Sequence, residues 1–198
     1  MSDKKGEFDE SNPIEHVDKV LDHAPLVDEA APNPLISRIL DGVVTFIAIF
    51  AHATWIILVA VILANVMMRY VLGGSIVALE ELQWHLYAFG FMVGLSYTLV
   101  HDKHVRVDVL ADGWSKSRRA KIEIAAMLIL VIPFAGLIAY DSLAFIEFSM
   151  RLNESSRSPG GLPSRWIIKS VIPLAMGLLI LAALARTARM VAFLRVAQ

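Results

Sequence analysis

Four stretches of this 198-residue chain are each long and apolar enough to cross a lipid bilayer, and they hold most of its hydrophobic residues. They run over about 43–67, 82–100, 124–146 and 166–185. A hydrocarbon core about 30 Å thick takes about 20 apolar residues of helix. With no water there to satisfy backbone polar groups, each stretch must be helical. The expected fold is therefore all-α: a polytopic membrane protein with four transmembrane helices.

Composition agrees. Hydrophobic residues make up 57% of the chain, above the roughly 45–50% apolar content of soluble domains. The net charge of −1 provides no global field for nucleic acid. The chain has no cysteine, which excludes disulfides, thiolate metal sites and thiolate-bound iron–sulfur clusters. The N-terminus lacks the basic-then-apolar pattern of a cleavable signal peptide. Residues 1–37 form a region of their own, acidic and punctuated by Pro13, Pro25, Pro32 and Pro34. Large apolar residues are too few there to build a core, so this region reads as a disordered tail. Residues 38–198 form the four-helix transmembrane domain.

Between the first two spans, Gly73-Gly74 break the helix. Residues 75–86 then place Ile76, Leu79, Leu82 and Leu86 on one face, with Glu80, Glu81 and Gln83 elsewhere. That pattern predicts a short interfacial amphipathic helix. The second span carries Gly90 and Gly94 in a GxxxG pattern, which permits close approach of another helix. The third span contains Pro133 and the fourth Pro173. Asp141 and Lys169 lie near span ends, where pairing or snorkelling suffices to explain them.

Cationic residues near span ends favour the cytoplasm. With the N-terminus inside, the inner side carries 10 Lys and Arg and the outer side 5. Both termini are therefore expected to be cytoplasmic. The basic loop over 101–121 is short and juxtamembrane, which suits lipid headgroups better than nucleic acid.

No catalytic constellation, phosphate loop or metal spacing is present in the sequence, so neither an enzyme nor a cofactor is expected. A haem would need two histidines at matching depth on facing helices. His52, His85 and His101 fall at different depths. A haem- or quinone-binding anchor of a redox enzyme is the alternative from another class. A stand-alone small transporter or assembly factor is a third.

Two stretches carry a resemblance to a known family. They are Glu80-Glu81-Leu82-Gln83-Trp84-His85-Leu86-Tyr87 and His101-Asp102-Lys103-His104-Val105-Arg106-Val107-Asp108-Val109-Leu110. An acidic pair opening a span, with a polar H-V-R-V-D run closing the same span, resembles the small, DctQ-like membrane subunit of tripartite ATP-independent periplasmic (TRAP) transporters. The likeness covers roughly residues 38–195. It implies a bacterial inner-membrane machine in which a periplasmic solute-binding protein captures a carboxylate-type solute. A large multi-span permease subunit then couples uptake to a sodium gradient. The small subunit packs against the large one and stabilises it, with no substrate or sodium site of its own. Six residues become candidates for subunit packing or helix orientation. Glu80 and Glu81 lie at the outer face, Gly90 and Gly94 within the span, and Arg106 and Asp108 at the inner face.

Overall fold

The computed structural model describes residues 33–101 and 115–196. Among these residues every regular element is helical. Helix α1 (Leu35–Leu72) is followed by α2 (Val77–Val100). Then α3 (Lys116–Ala126), a π-helical turn (Met127–Val131) and α4 (Ile132–Arg151) run on as one rod of 36 residues. Helix α5 (Trp166–Val196) completes the bundle. Three of these bodies are long and apolar enough to cross a membrane: α1, the α3–α4 rod and α5. Helix α2 is shorter, and its first three turns hold Glu80, Glu81, Gln83, Trp84 and His85.

Helix α5 is the hub, packing against α1, α2, α3, the π turn and α4, whereas α1 and α2 also pack on each other. The central core joins Val44 and Ala51 of α1, Val93 and Leu99 of α2, and Leu178, Ala182 and Ala183 of α5. A second cluster, Ala135, Ala175 and Met176, holds α4 to α5. Alanine dominates on α5 because a small side chain lets neighbouring backbones approach, and close packing drives helix association in lipid.

Helix α1 buries a narrow seam. Ser37, Val44, Ala51, Leu58 and Asn65 are buried at intervals of seven, the spacing that keeps one stripe against a partner helix. Its other faces leave Ile36, Phe46, Ile49, Phe50, Ile56 and Leu63 exposed. The rod likewise exposes Ile129, Leu130, Phe134, Leu137 and Leu143. Contiguous apolar surface on this scale marks a membrane or protein interface.

Helix α1 and the α3–α4 rod run past the sequence-derived spans at both ends, α2 only at its N-terminal end and α5 only at its C-terminal end. At about 1.5 Å per residue, α1 is roughly 57 Å long, well beyond a hydrocarbon core. Gly73, with φ +70, ends α1 in the left-handed conformation that glycine adopts without penalty.

One expectation needs correction. The separate amphipathic helix over 75–86 does not form: those residues, from Val77 on, are the first turns of α2. The reason is phase. Leu79, Leu82 and Leu86 continue at helical spacing into Phe89, Gly90 and Val93, and nothing between Val77 and Phe89 breaks the helix. The third span departs from a regular α-helix beside its proline. Pro133 has no N–H to offer and its ring crowds the preceding turn. The helix widens just before it, with the Ile132 N–H reaching back five residues to the Met127 carbonyl.

The GxxxG pair divides between two environments. A Cβ on Gly90 would lie 2.9 Å from Thr54 Oγ1 and 3.1 Å from the Trp55 ring, both on α1, whereas one on Gly94 would meet nothing within 4 Å. Gly90→Leu is therefore expected to lower the unfolding midpoint of the detergent-purified chain, by the equivalent of about 1–3 kcal/mol for overpacking. Gly94→Leu should leave that midpoint unchanged. Equal effects would contradict this division.

Candidate functional site

The polar groups of the bundle gather at its two ends. At one end, α5 presents Arg186 and Arg189, three residues apart and so on one face. The Arg186 side chain is only 3% exposed. Its Nε donates to Glu123 of α3, and its Nη1 donates to the Leu99 carbonyl of α2 at 3.3 Å. Arg189 donates from Nη1 to Asp41 and to Ser37 Oγ (3.2 Å) on α1, and from Nη2 to the Val100 carbonyl at 3.1 Å. The Ser37 hydroxyl in turn donates to Asn33 Oδ1 at 2.8 Å.

Each arginine therefore does two things. It neutralises one acid from a neighbouring helix, and it caps one of the last carbonyls of α2. Those carbonyls lack partners within their own helix and carry the negative end of its dipole. Between them the two side chains tie α1, α2 and α3 to α5. The planar guanidinium suits this task, because its donors leave in several fixed directions at once.

The sequence expectation counted Arg186 and Arg189 only toward orientation and left Asp41 and Glu123 unassigned. A signal was present: two arginines at i, i+3 on the last helix, and lone acids just outside the first and third spans. Their pairing across 63 and 148 residues of sequence is a tertiary fact.

At the opposite end the acidic pair divides its roles. Glu80 pairs with Arg69 at 3.6 Å on an exposed surface, a geometry worth little in water. Glu81 reaches into the 152–165 connection. It accepts a hydrogen bond from the Ser156 hydroxyl and another from the Leu162 N–H at 2.7 Å. The Ser156 N–H also bonds the Leu162 carbonyl at 3.0 Å, closing the loop on itself. Gly161 is required here. A Cβ would sit 2.5 Å from the Ser156 side chain and 2.9 Å from Glu81 Oε1.

Lys169 of α5 lies 3.8 Å over the Phe145 ring and donates to Glu154 of the same loop. That bond holds the Glu154 carboxyl below the usual glutamate range. Asp141 is exposed on α4.

Of the other candidates, Gly90 is buried against α1 and Gly94 lines open space. Arg106 and Asp108 lie outside the described residues. Between the ends, the Tyr97 ring contacts His52 edge-on at 4.9 Å and His101 at 4.2 Å. His52 Nδ1 is 2.6 Å from the Ala48 carbonyl one turn back. Among the described residues no three His, Asp or Glu side chains group as metal ligands.

Both ends can be tested by substitution. Breaking a buried pair strands its partner, at a cost of about 3–5 kcal/mol. Arg186→Leu or Glu123→Leu should therefore sharply lower the unfolding midpoint in detergent, and the double variant should recover part of the loss. Simple additivity would show that the pair is not coupled. A carboxyl with a depressed folded-state pKa stabilises above its ordinary value, about 4.3. That contribution is lost as pH falls through the lowered value. Protease resistance of the 152–165 loop should hold from pH 8 to about pH 5 and decline only below about pH 4. Glu154→Gln should weaken it at neutral pH and flatten the profile.

The comparison with protein families bears on the whole bundle. The model of the DctQ component of tripartite ATP-independent periplasmic transporters matches residues 58–193. That span runs from mid-α1 to the last turn of α5, and it includes Glu81, Glu123, Arg186 and Arg189. No curated protein matches the chain. With its membrane-length helices and a match across more than half its length, this chain belongs to the DctQ family, the small permease component of TRAP transporters.

Proposed function

We propose that this chain packs against the large permease subunit and holds it in place during sodium-coupled uptake of an organic acid, a carboxylate delivered by a periplasmic binding protein. The observation that carries this reading is the family match laid over the bundle. The family works in a three-part system with a large permease and a binding protein, which makes the chain a transport component. The large exposed apolar faces of α1 and the α3–α4 rod provide surface for a membrane partner as well as for lipid.

The bundle is read as crossing the inner membrane four times, with α2 as the fourth span. Glu81 and Leu99 mark the two polar ends of α2. At about 1.5 Å per residue the helix rises about 27 Å between them, close to the hydrocarbon thickness. The excess of cations at the end holding Arg186 and Arg189 favours that end as cytoplasmic. Both termini are then cytoplasmic, and the acidic stretch read as a tail over 1–37 lies on that side, its last residues, from Leu35, being the start of α1. Glu80, Glu81, Arg106 and Asp108 orient the helices at the two interfaces or pair with the large subunit. Gly94, with open space before it, accepts a helix of that subunit, whereas Gly90 sets the internal packing that presents it.

The test is a mild-detergent pull-down of the tagged chain from its native membrane, with mass spectrometry of what accompanies it. A stoichiometric partner of about a dozen spans is expected. Co-purified soluble redox subunits, or a coloured preparation with a Soret band, would overturn the reading in favour of a redox anchor. In the same complex, Arg106→Ala with Asp108→Ala should reduce recovery of the large subunit. Unchanged recovery and transport would remove those two residues from the interface.

A further inference from the structure

The end of the bundle that holds the arginine pairs is strongly cationic. Across residues 33–41, 115–123 and 186–196 there are eight Lys and Arg against two acids, Asp41 and Glu123. Both acids are already taken, by Arg189 and Arg186. Arg38, Lys116, Lys121 and Arg195 stand exposed at this end on α1, α3 and α5. Among the described residues, none of the four makes an ion pair. Measured along their helices, all lie within about 10 Å of the arginine pairs. Among the described residues the formal balance of this end is thus +6.

The segment that precedes the described chain, 1–32, carries nine acids and three bases, a balance of −6. It enters α1 at this same end, because Asn33 and Ser37 belong to the Arg189 cluster. Treated as a random coil, 32 residues would span about 30 Å root-mean-square. Helices packed about 8–10 Å apart make a bundle end roughly 20 Å across. The acidic segment can therefore reach every exposed cation, and tethering holds it at an effective concentration in the millimolar range.

We propose that the exposed cationic end of the bundle is an interaction surface for the chain's own acidic segment, residues 1–32. The contact is electrostatic and multivalent. It neutralises a patch that would otherwise attract anionic lipid headgroups, and it is screened by salt. It does not depend on the transport reading.

The absence of cysteine allows site-specific labelling. Spin labels at Ser11→Cys and Val196→Cys, in nanodiscs of zwitterionic lipid, give the distance distribution between the segment and the exposed end of α5. At low ionic strength the distribution should be about half as wide as at about 0.5 M salt, where charges are screened beyond a few ångströms. Lys116→Glu, Lys121→Glu and Arg195→Glu together should broaden it at low salt. These exposed positions leave the Arg186–Glu123 pair intact, so an unchanged helical melting curve verifies the fold. Equal widths at both salt levels, or narrowing that survives the charge reversal, would overturn the proposal. So would a broad distribution in wild type at low salt combined with anionic lipid, seen by native mass spectrometry, that the charge-reversed variant fails to retain. In that case the surface is a headgroup site.

Discussion

The bundle depends on two guanidinium groups, Arg186 fully buried and Arg189 partly so. Helices in lipid gain no hydrophobic driving force from meeting one another, since acyl chains are as apolar as leucine. What remains is close packing and a small number of polar contacts. Arg186 and Arg189 concentrate those contacts on α5, the helix that touches all the others. Each joins an acid from one helix to a terminal carbonyl of another. A charged group this deeply placed is costly unless it is paired and hydrogen-bonded. The ends of α1, α2 and α3 around α5 are thereby held in one arrangement.

Packing along the helices follows from that arrangement. The small residues of α5, chiefly alanines, allow α1, α2 and α4 to approach its backbone. The α1 seam repeats every seven residues and uses Val44, Ala51 and Leu58 where it passes the core. Larger side chains are displaced outward, to the exposed faces of α1 and the α3–α4 rod. This inverts the habit of a soluble bundle. At the far end, Glu81 performs for the 152–165 connection what the arginines perform for the helices. One carboxylate gathers a hydroxyl and a backbone N–H from a loop remote from it in sequence.

Legibility varied by the range of the physics involved. The long apolar runs identified the helical bodies directly, because a membrane permits little else. Pro133 announced a disturbance in the third span, but a π turn rather than a kink is a choice made by the local hydrogen-bond register. The amphipathic 75–86 stretch looked like an interfacial helix because its polar residues are real. Its apolar face, however, continues in phase with the buried face of α2, and only the position of α1 and α5 shows that one continuous helix buries both. Glu80 and Glu81 are neighbours of the same charge and size. One pairs at the surface with Arg69 and the other anchors a loop. Nothing in their local sequence distinguishes them.

By itself the sequence determined the class of solvent, the number of apolar runs and the helical character of the chain. It also carried the family resemblance, through the acidic pair and the H-V-R-V-D run. These properties are local: each depends on residues within one helix length and on the hydrocarbon thickness. The tertiary structure decided which charges meet. Asp41 with Arg189, Glu123 with Arg186 and Glu81 with Ser156 are joined across 148, 63 and 75 residues. Pairing over such distances is set by which helix faces the hub and at what height, and that is a property of the packed bundle rather than of any segment within it.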